Sequence, residues 1–245
     1  MTYKFNIDSY KKLHESFIDL EYDYVGYDCK NLTGKKIISR HDIDMCVSSA
    51  LKIARVEAKM KVKSIFFVLI TTPLYNIHDE SVKDSLMEIL ELGHSIGLHF
   101  DASLSKTQDD GHNRCTYECS LLERALNCSI SVISFHRPSN FFINMPEKFI
   151  GKLHTYQPEF TKNIGYCSDS RGEWRFGYPT SNSFVKKSMP IQLLTHPIWW
   201  AKSNDFVQEK IDSLISDIVN RDRLYIDNNC IPYKHEKVFK YTLKK

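Results

Sequence analysis

No two of the seven cysteines stand in a C-x-x-C pair, and their odd number leaves no complete disulfide set. That spacing speaks against a zinc ribbon and for reduced, mostly buried thiols of the kind found in a cytosol. Long apolar runs are missing too. The longest, SIFFVLI at residues 64–70, is far too short to span a bilayer, and MTYKFNIDSYKKLHESF at the N-terminus has no continuous apolar stretch of the signal-peptide type. A cytoplasmic protein with no membrane insertion is the expectation. Basic residues form no stripe: 33 Lys and Arg and 30 Asp and Glu are interspersed, with clusters no larger than Lys35-Lys36, Lys186-Lys187 and Lys244-Lys245, so nucleic acid is not an expected partner.

Several catalytic signatures are absent as well. There is no G-x-G-x-x-G, no G-x-S-x-G and no Gly-rich phosphate loop, since TGKK at 33–36 lacks the earlier glycine. Dinucleotide redox chemistry, serine esterase chemistry and nucleotide hydrolysis lose ground accordingly. No repeat, low-complexity tract or Gly/Ser/Pro linker divides the chain. Residues 1–34 therefore read as an N-terminal helical lead-in and 35–245 as a single domain.

What is present is material for a core, 42% hydrophobic and 12% aromatic residues, arranged in alternating periods. KIISRH is a strand, followed by SSALKIARVEAKM with Val47, Leu51, Ala54 and Ala58 at helical spacing, then the strand SIFFVLI. ESVKDSLMEILELG is a helix that stops at Gly93, and HSIGLHF a strand. CTYECSLLERAL reads as a helix, SISVISFH, IGYCSDS and PIQLLTHP as strands, and a last helix runs from Asp205. Repeated β-then-α units predict an α/β fold, a parallel sheet with outer helices, doubly wound or barrel-like.

Polar residues gather at one end of these strands: His41, Asp42 and Asp44, then His99 and Asp101, His136 and Arg137, Asp169, and His196. In parallel α/β folds the C-terminal strand edge is where sites are built. Strand alternation puts Ile38, Arg40, Asp42 and Asp44 on one face, so the two carboxylates can share a small volume, one binding a cation and the other handling a proton. Against this stands Asp44 as a plain N-cap of the next helix. In GHSIGLHFD, Ser95 and Gly97 leave space beneath His99, and neutral imidazole suits divalent metals; a satisfied core histidine is the alternative, and it fits His94 better. His136 and Arg137 precede a proline that ends strand pairing, which leaves ligand, orienting group and plain turn all open. His196 closes an apolar run beside Trp199 and Trp200, whose rings suit the core better than a sugar pocket.

Five ordered pieces between Ile37 and Trp200, RHDID, GHSIGLHFD, SFHRPS, SDSRGEW and LLTHP, together resemble the polysaccharide deacetylase (NodB-homology) family, in particular its surface-polysaccharide biosynthesis subgroup. The resemblance implies a distorted (β/α)7-8 barrel with one divalent metal ion at its C-terminal mouth, zinc first, with cobalt or manganese as alternatives. It matches Asp42 to the catalytic base, His196 to the general acid, Asp44 and His99 to metal ligands, and Asp169 and Trp174 to residues that line the pocket and orient catalytic groups. Two departures stand out. The family's second metal histidine, four residues after the first, is Ser103 here, and where many members carry Arg in the third motif this chain has His136 with Arg137 beside it. His136 is therefore expected to complete an Asp44, His99, His136 set, with Asp101 the weaker candidate, and Arg137 to bind or orient substrate.

The implied activity is that of a metal-dependent carbohydrate deacetylase, a hydrolase of C–N bonds other than peptide bonds. It would remove an N-acyl group, acetyl first, from an amino sugar or a nucleotide-linked or lipid-linked intermediate. Two alternatives remain: hydrolysis of a non-sugar amide on the same fold, and a non-catalytic carbohydrate-binding protein with a degenerate metal site. Ser103 favours the second, and the joint presence of Asp42 and His196 opposes it.

Overall fold

Strand and helix alternate along the chain much as the apolar spacing dictates. The computed structural model describes residues 3–143, 145–202 and 206–230. After α1 (Ile7–Asp19) and β1 (Asp23–Tyr24) come β2 (Lys36–Ile43), α2 (Val47–Lys59), β3 (Ile65–Val68), α3 (Glu80–Glu91), β4 (Ser95–Asp101), α4 (Gln108–Leu126) and β5 (Val132–His136). Shorter elements follow: α5 (Asn140–Ile143), β6 (Leu153–His154), α6 (Pro158–Thr161), β7 (Gly165–Ser168), α7 (Ser183–Lys186), β8 (Ile191–Thr195) and α8 (Pro197–Trp200). The chain divides into two compact units, Met1–Val207 and Gln208–Lys245, and the second contains most of α9 (Val207–Asn229). Asp205, the expected start of that helix, lies outside the described residues. No helix among the described residues is long and apolar enough to cross a membrane.

Two elements differ from expectation for local reasons. Helix α4 begins at Gln108, seven residues before the apolar periodicity becomes visible at Cys115, because Thr107 caps it: its side chain accepts the Asp110 N–H, and Asp109 and Asp110 favour the first turn. Strand β6 has only two residues, too few to show alternation. Residues 3–34 are built into the sheet and its back layer, since β1 pairs with the start of β2 and α1 sends Tyr10 toward α2.

All eight strands are parallel, in the order β6-β5-β4-β3-β2-β8-β7 with β1 beside β2. The sheet curls so that its ends approach. Gln192 on β8 donates to the carbonyls of Phe160 (2.8 Å) and Thr155 (3.5 Å), both from the segment after β6. Strands β6 and β7 do not pair with each other among the described residues, so the barrel has an open seam. This is the distorted parallel barrel the motifs imply.

Inside, Tyr27, Ile38, Ile65, Phe67, Val132, Phe160 and Ile164 plug the end opposite the site. Each such side chain contributes roughly 1.5–3 kcal/mol by leaving water. Gly97 is required here: a Cβ would stand 2.5 Å from the Phe67 ring and 2.9 Å from the Val132 carbonyl. The room predicted beneath His99 is thus filled by a phenyl ring from the neighbouring strand.

The outward face of β2 carries a second polar system. His41 reaches Glu57 on α2 through Nε2 (3.1 Å) and the Thr195 hydroxyl through Nδ1 (2.8 Å). Glu57, wholly buried, also accepts from Tyr10 (2.8 Å) and Ser64 (2.7 Å). His14 lies 3.9 Å from the same carboxylate oxygen and contacts the Tyr24 hydroxyl at 2.7 Å. Burial lowers the His14 imidazole to about 4 against the pull of Glu57. Burial would raise Glu57, but the charge and hydrogen bond of His41, with His14 and His94 near, hold it down to about 2. Both groups bind fewer protons folded than unfolded below their ordinary values of 6.5 and 4.5, so acid favours unfolding. Denaturant unfolding measured from pH 7.5 to 4 should therefore show stability falling steadily below about 6.5 as His14 titrates in the unfolded chain; a flat profile would contradict the network.

Candidate active site

At the C-terminal ends of β2, β4 and β5 three donor atoms converge. Asp44 Oδ1 lies 3.1 Å from His99 Nε2 and 3.5 Å from His136 Nδ1, and the two imidazole nitrogens are 3.2 Å apart. Asp44 is free for this because it does not cap α2; Cys46 stands at that position, without a side-chain cap bond. The segment after β2 is pinned from above, Tyr75 donating to the Ile43 carbonyl (2.7 Å) and Thr72 to the Asp44 carbonyl (2.9 Å).

These atoms fit a cation. Bonds of about 2.0–2.1 Å in a tetrahedral site put ligand atoms about 3.3–3.4 Å apart, close to the edges of this triangle. Asp44 Oδ1 is buried and makes no hydrogen bond among the described residues, as an oxygen kept for a metal would. Burial would raise its carboxyl, but contact with His99 and the charge of His196 hold it far below the usual carboxylate range. Burial and the adjacent His99 keep His136 below the ordinary imidazole value, in the neutral form that ligates metals. His99 Nδ1 has no partner among the described residues, so the outer hydrogen bond that usually orients such a ligand is lacking.

Asp101 and Ser103 are not in the triangle. Ser103 donates its Oγ–H (2.6 Å) and N–H (3.1 Å) to Asp101 Oδ1, and Arg137 occupies Asp101 Oδ2 at 2.5 Å. Asp101 is thereby committed to a turn and an ion pair, which removes it as the weaker ligand candidate.

Asp42 lies one layer deeper, its Oδ2 3.7 Å from His99 Nε2. Arg40, two residues earlier on the same face and 2% exposed, donates to that oxygen at 2.9 Å, and Ser134 stands 3.4 Å away. The guanidinium also donates to Gln192 Oε1 (3.1 Å) and lies over the rings of Phe67 and Tyr156. Burial would raise the Asp42 carboxyl, yet Arg40, His99 and His196 lower it, so it is ionised. Its Oδ1 is buried without a partner among the described residues.

Across the mouth, His196 Nδ1 meets Asp169 Oδ1 at 2.6 Å, and the His196 backbone N–H donates to both Asp169 oxygens at 3.0 Å. Trp200 adds its Nε1–H to Oδ2 (2.6 Å). Burial would lower the imidazole, but Asp169, with Asp44 and Asp42 behind it, raises it to about 9. His196 is therefore a cation at neutral pH, with Nε2 3.7 Å from Asp44 Oδ2. Trp174 acts at one remove: it packs 5.8 Å from Trp200 in an aromatic cluster with Phe5 and Tyr178.

Two cavities flank the triangle and share Asp44 and Met45. One, about 130 Å³, is lined by Asp42, His196, Trp199 and Arg171. The other, about 260 Å³, is lined by Thr72, Leu74, His136 and Arg137. Sequence reasoning brought Asp42, Asp44, His99, His136, Asp169 and His196 to this one mouth. It quoted Arg40 and Arg171 without giving either a role, although a charge two residues before Asp42 on the same strand face was a readable signal.

No protein-family model matches the chain, and no curated protein does. Solved structures do. The chain is similar to polysaccharide deacetylases. The Xyl-CE4 domain of a multidomain xylanase from the hindgut metagenome of Trinervitermes trinervoides matches at 13% identity and a TM-score of 0.46, over 83% of this chain and 95% of that one. Peptidoglycan deacetylase PdaC from Bacillus subtilis matches at 11% identity and a TM-score of 0.46, over 83% and 100%. A CE4 family pseudoenzyme from Bacillus anthracis matches at 11% and 0.40, over 78% and 63%. At such identities the likeness concerns the path of the chain and not its chemistry.

Two outcomes follow from the geometry. His136→Ala should weaken zinc binding, read by competition with a chromophoric chelator, by more than the 10- to 100-fold that loss of an outer-shell partner costs; unchanged affinity would exclude His136 as a ligand. Arg40→Met should destabilise the fold by about 3–5 kcal/mol, because it leaves Asp42 charged and buried, and Asp42→Asn in that background should recover part of the loss.

Proposed function

We propose that the protein is a metal-dependent deacetylase of amino sugars. The observation that carries this reading is the meeting, at one mouth, of a three-donor cation site, a buried ionised carboxylate and a histidine held as a cation by its own aspartate. Amide hydrolysis needs those three things together: an activated water, a proton acceptor, and a proton donor for the leaving nitrogen.

Asp44, His99 and His136 would hold the ion, zinc first given two imidazoles and one carboxylate. When bound it supplies Lewis acidity, polarising the acyl oxygen and acidifying water at neutral pH. Asp42 accepts the proton as water attacks, through the Oδ1 that Arg40 leaves free. Arg40 keeps that carboxylate charged and fixed. His196 then gives its Nε2 proton to the departing amine, while Asp169 holds Nδ1 and so fixes which nitrogen faces the cavity. Without that proton the tetrahedral species expels the water oxygen again, because an amide anion is the poorer leaving group.

The small cavity beside His196 and Arg171 suits the edge of the sugar that bears the acylamino group, and the wider one with Thr72 and Arg137 suits the rest of it. Arg137 is paired with Asp101, which leaves part of its fork to orient hydroxyl groups there. The surface-polysaccharide setting comes with the motif resemblance, and free cysteines at every described position accord with a reducing cytosol. The non-catalytic reading rests on Ser103, and a histidine beside Asp44 and His99 weighs against it.

Acetate release from a panel of N-acetylated nucleotide sugars, with metal content by mass spectrometry, tests the assignment. His196→Ala should lower kcat by about 10² to 10⁴ with metal content intact, and Asp44→Ala should lose both metal and turnover. Normal turnover in Asp44→Ala would overturn the reading.

A further inference from the structure

Among the described residues, charges around the mouth are compensated pairwise with one exception. Arg40 pairs with Asp42, Arg137 with Asp101, and His196 with Asp169. Asp44 belongs to the cation triangle. Arg171 lines the same small cavity as Asp42 and His196, is exposed, and has no ion pair or hydrogen bond from its guanidinium among the described residues.

Its backbone is also unusual. Arg171 is left-handed (φ 65, ψ 21) and is followed by Gly172 at φ 76, in a turn closed by the Gly172 N–H on the Asp169 carbonyl (2.9 Å). That conformation is unfavourable for any residue with a Cβ and suits Gly or Asn. Strained positions of this kind concentrate at ligand clamps. Here the turn that supplies Asp169 to the general acid also carries an unpaired cation to the cavity where the leaving nitrogen must lie.

A guanidinium fork with free donors matches a phosphate or a carboxylate, often bidentately. We propose that Arg171 is a specificity-determining residue that binds an anionic group of the substrate, and that the sugar hydrolysed is therefore acidic. Because Arg171 and His196 line one cavity of about 130 Å³, the inference places the anion close to the acylamino group, on a neighbouring carbon of the sugar. A 1-phosphate and a 3-linked carboxylate both meet that condition on a 2-acylamino sugar. This inference rests on the deacetylase reading for its substrate, but its test does not need turnover.

Calorimetric binding to the full chain loaded with zinc, using N-acetylglucosamine 1-phosphate, N-acetylmuramic acid and unmodified N-acetylglucosamine, separates the possibilities. An acidic probe should bind about 10- to 100-fold tighter than the neutral sugar, and less so at high salt. Whichever acidic probe shows the preference identifies the anion. Arg171→Gln should bring that probe to the level of the neutral sugar without changing the neutral sugar's own affinity or the melting temperature, and Arg171→Lys should keep part of the preference. Equal affinity for all three probes in the unaltered protein would overturn the inference. So would a preference that survives in Arg171→Gln, since the cation alone would then account for it. A preference that Arg171→Gln abolishes, in a protein that releases acetate neither from these probes nor from the nucleotide-sugar panel, would leave Arg171 as an anion-binding residue and overturn the deacetylase reading, and with it the statement that the acidic sugar is hydrolysed.

Discussion

Alternation along β2 sends Arg40 and Asp42 into the barrel and His41 out of it, and both buried charge systems depend on that division. Inward, a carboxylate placed beneath the mouth needs a counter-charge within hydrogen-bonding distance, and the residue two positions back is the nearest side chain on that face. Arg40 in turn needs an acceptor and flat faces around it, which Gln192, Phe67 and Tyr156 provide. Outward, His41 meets Glu57 and so ties α2, and through Tyr10 also α1, to the back of the sheet. A one-residue slip of β2 would exchange the two faces, turning the Arg40–Asp42 pair away from the mouth and taking His41 from Glu57.

Strand order explains how the mouth is shared. Neighbouring strands β5, β4 and β2 supply the three donors of the triangle, with β3 between β4 and β2 giving no ligand but a following loop that holds Asp44 in place. On the far side of β2, β8 and the turn after β7 bring His196 and Asp169. On the proposed reading, the acid and the cation site would approach a bound amide from opposite flanks, as protonation of nitrogen and polarisation of oxygen require.

Much of this was legible before any coordinates because strand ends in a parallel sheet announce themselves: an apolar run that stops in His or Asp has few other uses. That pattern located Asp42, Asp44, His99, His136, Asp169 and His196. It could not say what His41 meets, since alternation assigns a face and not the contents of that face. Glu57 was missed although it interrupts the buried stripe of Val47, Ala50, Ile53 and Ala54 on α2 with a charge, a sign that the stripe faces something polar. Arg171 was beyond reach, because its meaning lies in a backbone angle and in the lack of a neighbour, neither of which composition or periodicity encodes. Trp174 was placed by motif alone, and its packing behind Trp200 assigns it a supporting contact instead of a pocket wall.

The Gln192 amide joins parts of the molecule that are otherwise separate. Its nitrogen bridges the open seam to Phe160 and Thr155, while its oxygen accepts from Arg40 and Tyr27. Backbone pairing does not close that seam among the described residues, and this planar group bridges it. Because the amide is rigid, opening the seam must rotate or withdraw the oxygen that steadies the guanidinium. One amide thus links the wall after β6 to the guanidinium beneath the mouth.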